Sequence, residues 1–303
     1  MEPVLNRNLL RSLLLENDFS LALAPGFFCF YAHIGFLHAL EELGLLARVT
    51  SVAGSSAGAL VGGFLASGMQ PSAMIESVLK IDRKAIWDPS FGLGLLKGDK
   101  LQRIIEKELP RRVQSIEDAP LPIGLTTFNL GSMRTEVHRN GSLATAMRAS
   151  ACFPGLFSPV VINGTLHIDG GVFDRHGLVG LPENASHFIL NVVFTGAAEV
   201  LPTHLAGATV LTVWLKNIPD VNPFSMDTAG PAAYRAAKAA TLRALTQSCH
   251  VQQSAPKKWL FFVEAGPGDE NARLEEDDKK KKRARGVKKS SISKQSKRRK
   301  AVK

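Results

Sequence analysis

Gly54-Ser55-Ser56-Ala57-Gly58 sets a serine between glycines two residues away on either side. Nucleophilic serine chemistry uses this pattern when the serine sits on a sharp strand-to-helix turn. The glycines remove Cβ atoms that would clash there. The following helix turns its partial positive charge and free N–H groups toward the substrate oxygen on which charge develops. Ser56 is therefore the candidate nucleophile, with Gly54, Ser55, Ala57 and Gly58 as its elbow. A serine hydroxyl needs a base to take its proton. Asp169-Gly170-Gly171 offers a carboxylate at a strand end, where paired glycines let the chain turn away. Among the histidines, His33 and His38 fall on a helix and His138 and His167 in strands, while His176 and His204 lie in loops. On residue types alone, both Asp169 and a loop histidine stay open as the base.

An elbow needs a strand before it and a helix after it. Residues 49–53 are a strand-like apolar run, and residues 56–67 form a helix of small side chains that can lie close to a sheet. Upstream, residues 19–24 read as a buried strand ending at Pro25-Gly26, followed by a helix over 31–46 that closes near Gly44. Pro71 opens a helix at its first position, Asp99 caps one running to Leu109, and Ser142 caps one through Arg148. Residues 122–128 and 133–138 read as two strands. Residues 160–162 and 165–168 form a hairpin, because Asn163-Gly164 supplies the two positive φ angles of a type I′ turn. Residues 187–194, 209–215 and 259–263 are further strands, and 229–247 is an alanine-rich helix. This alternation predicts an α/β fold, a three-layer α/β/α sandwich around a mostly parallel sheet. Only two strands precede Ser56, fewer than an α/β-hydrolase lays down before its nucleophile, which weighs against a Ser-Asp-His order.

Three segments together resemble the patatin-like phospholipase family. One is the elbow. The second is Ala146-Met147-Arg148-Ala149-Ser150-Ala151-Cys152-Phe153-Pro154-Gly155-Leu156-Phe157-Ser158-Pro159, similar to the family's A-x-R-A-S-x-x-x-P-x-x-F-x-P stretch. The third is Ile162-Asn163-Gly164 followed by Leu166-His167-Ile168-Asp169-Gly170-Gly171-Val172. Their order and separation agree with the family over roughly residues 19–215. The resemblance implies a patatin-like fold and a Ser-Asp dyad in which Ser56 attacks an ester carbonyl and Asp169 takes its proton. It implies a lipid acyl-ester substrate and neither a metal nor another cofactor. The family's oxyanion hole is a glycine-rich loop after the first strand, often with a Lys or Arg. Here that place reads Ala24-Pro25-Gly26-Phe27-Phe28-Cys29-Phe30-Tyr31, so only Gly26 is kept and the basic residue is missing. The resemblance puts the oxyanion donors on Gly26 and Phe27, with Gly26 expected to supply a special φ or a close approach. Where the family has an Asn and a Pro after D-G-G, this chain has Phe173-Asp174-Arg175-His176-Gly177, which reads as a solvated turn. Acyl transfer by the same dyad and a lipid-binding scaffold without turnover are the alternative functions.

The formal net charge of +10 divides unevenly. Between Lys279 and Lys303 lie 14 Lys or Arg and no acid, leaving 23 basic against 27 acidic side chains elsewhere. The body is mildly acidic and gives no electrostatic reason to bind nucleic acid. The basic run has the composition of a disordered tail, suited to nuclear import or to peripheral contact with an anionic membrane. The expected organisation is an extension over 1–18, an acyl-hydrolase domain over 19–266 and the tail over 267–303. Three widely spaced cysteines form no disulfide or zinc pattern and suit a reducing compartment. The first twenty residues lack a leader pattern, and no apolar run approaches about 18 residues. A cytoplasmic or peripheral-membrane protein, not a secreted one, is expected.

Overall fold

A computed structural model describes residues 3–193 and 201–271. Of the expected tail, residues 267–271 are described, and Arg243 donates to Asp269 Oδ1 at 2.6 Å; the rest, and with it the expected membrane contact through residues 279–303, lies outside the described residues.

The strands are β1 (Val4–Arg7), β2 (Phe19–Leu23), β3 (Val49–Ser55), β4 (Gly94–Leu96), β5 (Ile123–Asn129), β6 (Arg134–His138) and β7 (Gly155–Phe157), then β8 (Val160–Ile162), β9 (Thr165–Asp169), β10 (His187–Val192), β11 (Thr209–Lys216), β12 (Ser248–Ala255) and β13 (Lys258–Glu264). The helices are α1 (Leu9–Glu16), α2 (Phe30–Glu42), α3 (Ala57–Ala66), α4 (Pro71–Val78), α5 (Arg83–Ile86), α6 (Asp99–Glu108), α7 (Leu143–Ser150) and α8 (Met226–Thr246).

One large sheet runs β1-β12-β13-β11-β10-β2-β3-β5-β9-β8, with β6 also paired to β5. Its six central strands, β13 to β5 in that order, are parallel, and both flanks are antiparallel. β2 is buried along its whole length and β3 from Ser51 onward, as central parallel strands covered on both faces require. On one face Leu23, Val52 and Ile123 meet Gly62 of α3, whose small side chains bring the helix close. On the other, Ala22, Ala53, Phe188, Leu190 and Val210 pack against Leu178, Leu181 and Leu205.

Residues 1–18 were expected to precede the domain as an extension. Instead β1 pairs with β12 at the edge of the sheet, and α1 buries Leu10 and Leu14. The hydrophobic spacing of a four-residue edge strand is too short to be seen in sequence. Asp99 also departs from expectation. It is the first residue of α6, and Gly98 occupies the cap position at φ 85°. Asp88 from an earlier loop does the capping, accepting from Gly98 N–H at 3.1 Å and Lys100 N–H at 2.9 Å.

Candidate active site

β3 delivers the elbow. Ser56 has φ 53° and ψ −120°, a conformation that a residue with a Cβ adopts at a cost of about 1–3 kcal/mol and that the surroundings must impose. Here they do so by close packing. A Cβ on Gly54 would lie 2.5 Å from Gly58 O, and one on Gly58 would lie 2.0 Å from Leu23 O. Both glycines are thus required for β3, α3 and β2 to approach one another. The Ser56 N–H donates to Ser150 Oγ at 3.0 Å, and that hydroxyl donates onward to Thr126 O at 2.7 Å. Ser150 therefore ties the elbow to β5. Sequence reading placed it inside a motif without giving it this role, and the R-A-S spacing was the available signal.

Asp169 arrives from the other side of β5. The register sets Ser55 opposite Thr126 and Asp169 opposite Thr127, so adjacent residues of one strand bring the two segments together. Ser56 Oγ donates to Asp169 Oδ2 at 2.6 Å, and Gly171 N–H donates to Asp169 Oδ1 at 2.7 Å. Gly170 is forced by proximity: a Cβ there would sit 2.1 Å from Thr126 O. Burial raises the Asp169 carboxyl to about 6, against the two hydrogen bonds that favour its ionised form. At neutral pH it is an ionised acceptor with a pKa high enough to retain a proton briefly, as a general base must.

The dyad opens on an apolar cavity. Ser56, Asp169 and Ala57 lie in its wall beside Phe27, Phe28 and Phe30, and most of the rest is lined from α3, α4, α6 and the segment Phe153–Phe157, with Ile34, Ile86 and Met226. The aromatic run after β2 thus faces the cavity. Gly26 is buried and does not have a positive φ; the left-handed residue is Phe27, at φ 44°. The expectation of a special φ at Gly26 is corrected by one position. A short turn closes behind it, with Cys29 N–H donating to Gly26 O at 2.7 Å. Neither the Gly26 nor the Phe27 N–H donates to an acceptor among the described residues. Above the loop, the Phe27 and Phe153 rings meet at 4.6 Å. Below it, His33 anchors its base, with Nε2 2.8 Å from Ala24 O.

The remaining candidates fall elsewhere. Neither His176 nor His204 bonds to Ser56. Asp174, expected in a solvated turn, is buried and accepts from Leu178 N–H at 3.1 Å, and burial raises its carboxyl. Burial first, and then the neighbouring carboxylates Asp220 and Asp169, push the Cys29 and Cys152 thiols up to about 12, so both are inert at neutral pH. Glu136, His138 and His167 gather donor atoms within 4.8 Å of one another, a grouping that could hold a metal ion. The Thr127 hydroxyl already stands between the rings, 2.7 Å from His138 Nε2 and 2.8 Å from His167 Nδ1, and a hydrogen-bond network accounts for the cluster.

The family profile described as patatin-like phospholipase matches residues 21–180. An uncharacterized NTE family protein of Mycobacterium tuberculosis is 30% identical over 202 residues, 66% of this chain and 55% of that protein. A lysophospholipase NTE1 of Cryptococcus neoformans is 29% identical over 194 residues, 61% of this chain and 12% of that protein. The chain therefore matches little more than half the length of the first relative and a small part of the second. Among solved structures, VipD of Legionella pneumophila aligns at TM-score 0.40 and 14% identity, over 76% of this chain and 55% of that one.

Proposed function

The chain belongs to the patatin-like phospholipase family, and from that premise we propose that it hydrolyses acyl esters of lipids through an acyl-Ser56 intermediate, with Asp169 as general base. The observation that carries this reading is the 2.6 Å hydrogen bond from Ser56 Oγ to Asp169 Oδ2 in the wall of an apolar cavity. Ser56 Oγ attacks the ester carbonyl carbon as its proton passes to Asp169. The tetrahedral intermediate then expels the alcohol, which leaves with that proton. Asp169 next takes a proton from water, whose oxygen displaces the acyl group from Ser56 and regenerates the enzyme. The Gly26 and Phe27 N–H groups, uncommitted among the described residues, supply the oxyanion donors, together with the N-terminus of α3.

The cavity suits one acyl chain held by aromatic and aliphatic side chains, and the lysophospholipase named among the relatives makes single-chain phospholipids the first substrates to try. In the same reading, the acyl-hydrolase domain is the folded body and the run from Lys279 to Lys303 a peripheral anchor. Equal sedimentation on anionic vesicles with and without residues 279–303 would reject that anchor. For the chemistry, a fluorophosphonate probe is expected to label wild-type protein at Ser56 and leave Ser56→Ala unlabelled. Wild type is also expected to release fatty acid from lysophosphatidylcholine. A folded wild-type protein that neither takes the label nor releases fatty acid overturns the proposal.

A further inference from the structure

The loop from α5 to α6 carries an outward row that a water-facing surface does not explain. Phe91 is fully exposed, at 108%, and Leu93 and Leu95 follow at 69% and 67%. Phe91 and Leu93 lie in the bend that leads into β4, and Leu95 is exposed on β4 between buried Gly94 and Leu96, so three large apolar side chains within five residues are left uncovered. The segment is held in place by pairing. Leu96 and Gly94 pair with β7, and Ser90 N–H donates back to Leu95 O at 2.9 Å. A contiguous exposed apolar row of this kind marks a contact surface.

Beside it, Arg83, Lys84 and Lys100 surround Trp87 and Phe224 in an open pocket. The Arg83 guanidinium lies 5.9 Å from the Trp87 ring and 5.4 Å from the Phe224 ring, which itself is 77% exposed. No carboxylate among the described residues comes within ion-pair distance of these three cations. The nearby acids are committed to backbone: Asp82 accepts from Ala85 N–H and Asp88 from Gly98 and Lys100 N–H. The positive charge is thus left for a partner. Ile86 and Met226, next in sequence to Trp87 and close to Phe224, line the cavity that holds Ser56.

We propose that Arg83, Lys84 and Lys100, around Trp87 and Phe224, bind the phosphate of an anionic phospholipid in a bilayer surface, and that Phe91, Leu93 and Leu95 enter its acyl region. The partner class rests on the proposed lipid hydrolysis. The chemistry of the site is its own: cations at phosphate depth, indole at the interface and aliphatic side chains beyond it, the order in which a bilayer presents its complements. Docked this way, the rim of the cavity meets the membrane, and an acyl chain passes into it without crossing water.

The test uses the full chain carrying Ser56→Ala, so that no turnover disturbs the vesicles. Trp214→Phe and Trp259→Phe leave Trp87 as the reporter. On vesicles of phosphatidylcholine with phosphatidylglycerol, Trp87 emission is expected to shift to the blue and to be quenched by acyl-brominated lipid. Phe91→Asp with Leu95→Asp is expected to lower partitioning about tenfold or more. Changing Arg83, Lys84 and Lys100 to Gln is expected to remove the dependence of the Trp87 shift on phosphatidylglycerol, whatever sedimentation residues 279–303 still give. Emission from Trp87 that neither shifts nor is quenched, while the protein still sediments with the vesicles, overturns the site. Because Trp87 is read without turnover, its result stands whether or not wild type hydrolyses a lipid.

Discussion

Two turns face the cavity, Gly54–Gly58 after β3 and Pro25–Cys29 after β2, and they are built on opposite plans. Each leads from a central parallel strand into a helix, and each places a non-glycine residue at positive φ, Ser56 at 53° and Phe27 at 44°. The elbow is held by backbones in contact, at distances that forbid any side chain on Gly54 or Gly58. Its serine N–H is already bonded to Ser150. The other turn is held by rings, with Phe27 on Phe153, and its N–H groups are uncommitted among the described residues. One turn fixes a side chain; the other offers backbone donors. A side-chain site constrains its sequence strongly, whereas a backbone site constrains only shape, which several sequences can supply.

This contrast breaks most severely if the elbow does not carry the chemistry. Asp169→Asn keeps the shape of the carboxylate but removes its basicity, and turnover of a soluble ester is expected to fall by roughly 10³-fold or more. Near-normal kinetics in that variant would leave Ser56 held by a group that does no work in the reaction. The next largest effect separates donor from side chain in the aromatic turn. Phe27→Pro removes one N–H and cannot adopt φ 44°, so kcat is expected to drop by about 10²-fold. Phe27→Gly keeps the N–H and favours that φ, so kcat should stay within about threefold of wild type. Equal losses in both variants would show that the ring matters and the backbone does not.

The smallest effect is read from pH. Protonated Asp169 cannot accept the serine proton, so kcat/KM should fall as pH drops through about 6, where burial has raised its carboxyl. One unit below that value the loss is about tenfold. A free-enzyme limb near 4 instead would mean that the carboxylate is solvated in the working enzyme.

The same contrast explains what the sequence disclosed. The elbow and D-G-G were legible because sterics leave glycine no substitute at positions 54, 58 and 170. The Asn163-Gly164 hairpin was legible for a related reason, and its two residues have φ 50° and 80°. The parallel centre of the sheet showed through its largely apolar strands alternating with helices. The aromatic turn was misread by one residue, because glycine's freedom pointed to Gly26 while packing put the positive φ on Phe27. Ser150 and Asp88 act through hydrogen bonds to residues 94 and 12 positions away or fewer, and side chains of that type carry no local periodicity to expose them. The edge strands β1 and β12 lack the apolar runs of the centre: all four β1 residues are exposed, and β12 alternates only in part.

That edge has a consequence for the order of events in synthesis. Val4 lies opposite Val251, so β1 leaves the ribosome long before the strand it pairs with exists. β2, β3 and α3 are close in sequence and can assemble without it, and contacts this distant in sequence are slow to close. The Gly54–Gly58 turn can therefore form in a nascent chain whose sheet is still open at one side. Protease protection of ribosome-bound chains should come in two steps, the second only after residues 248–255 emerge. Until then β1 has no partner, and in that interval the chain is most exposed to pairing with its neighbours on the same message.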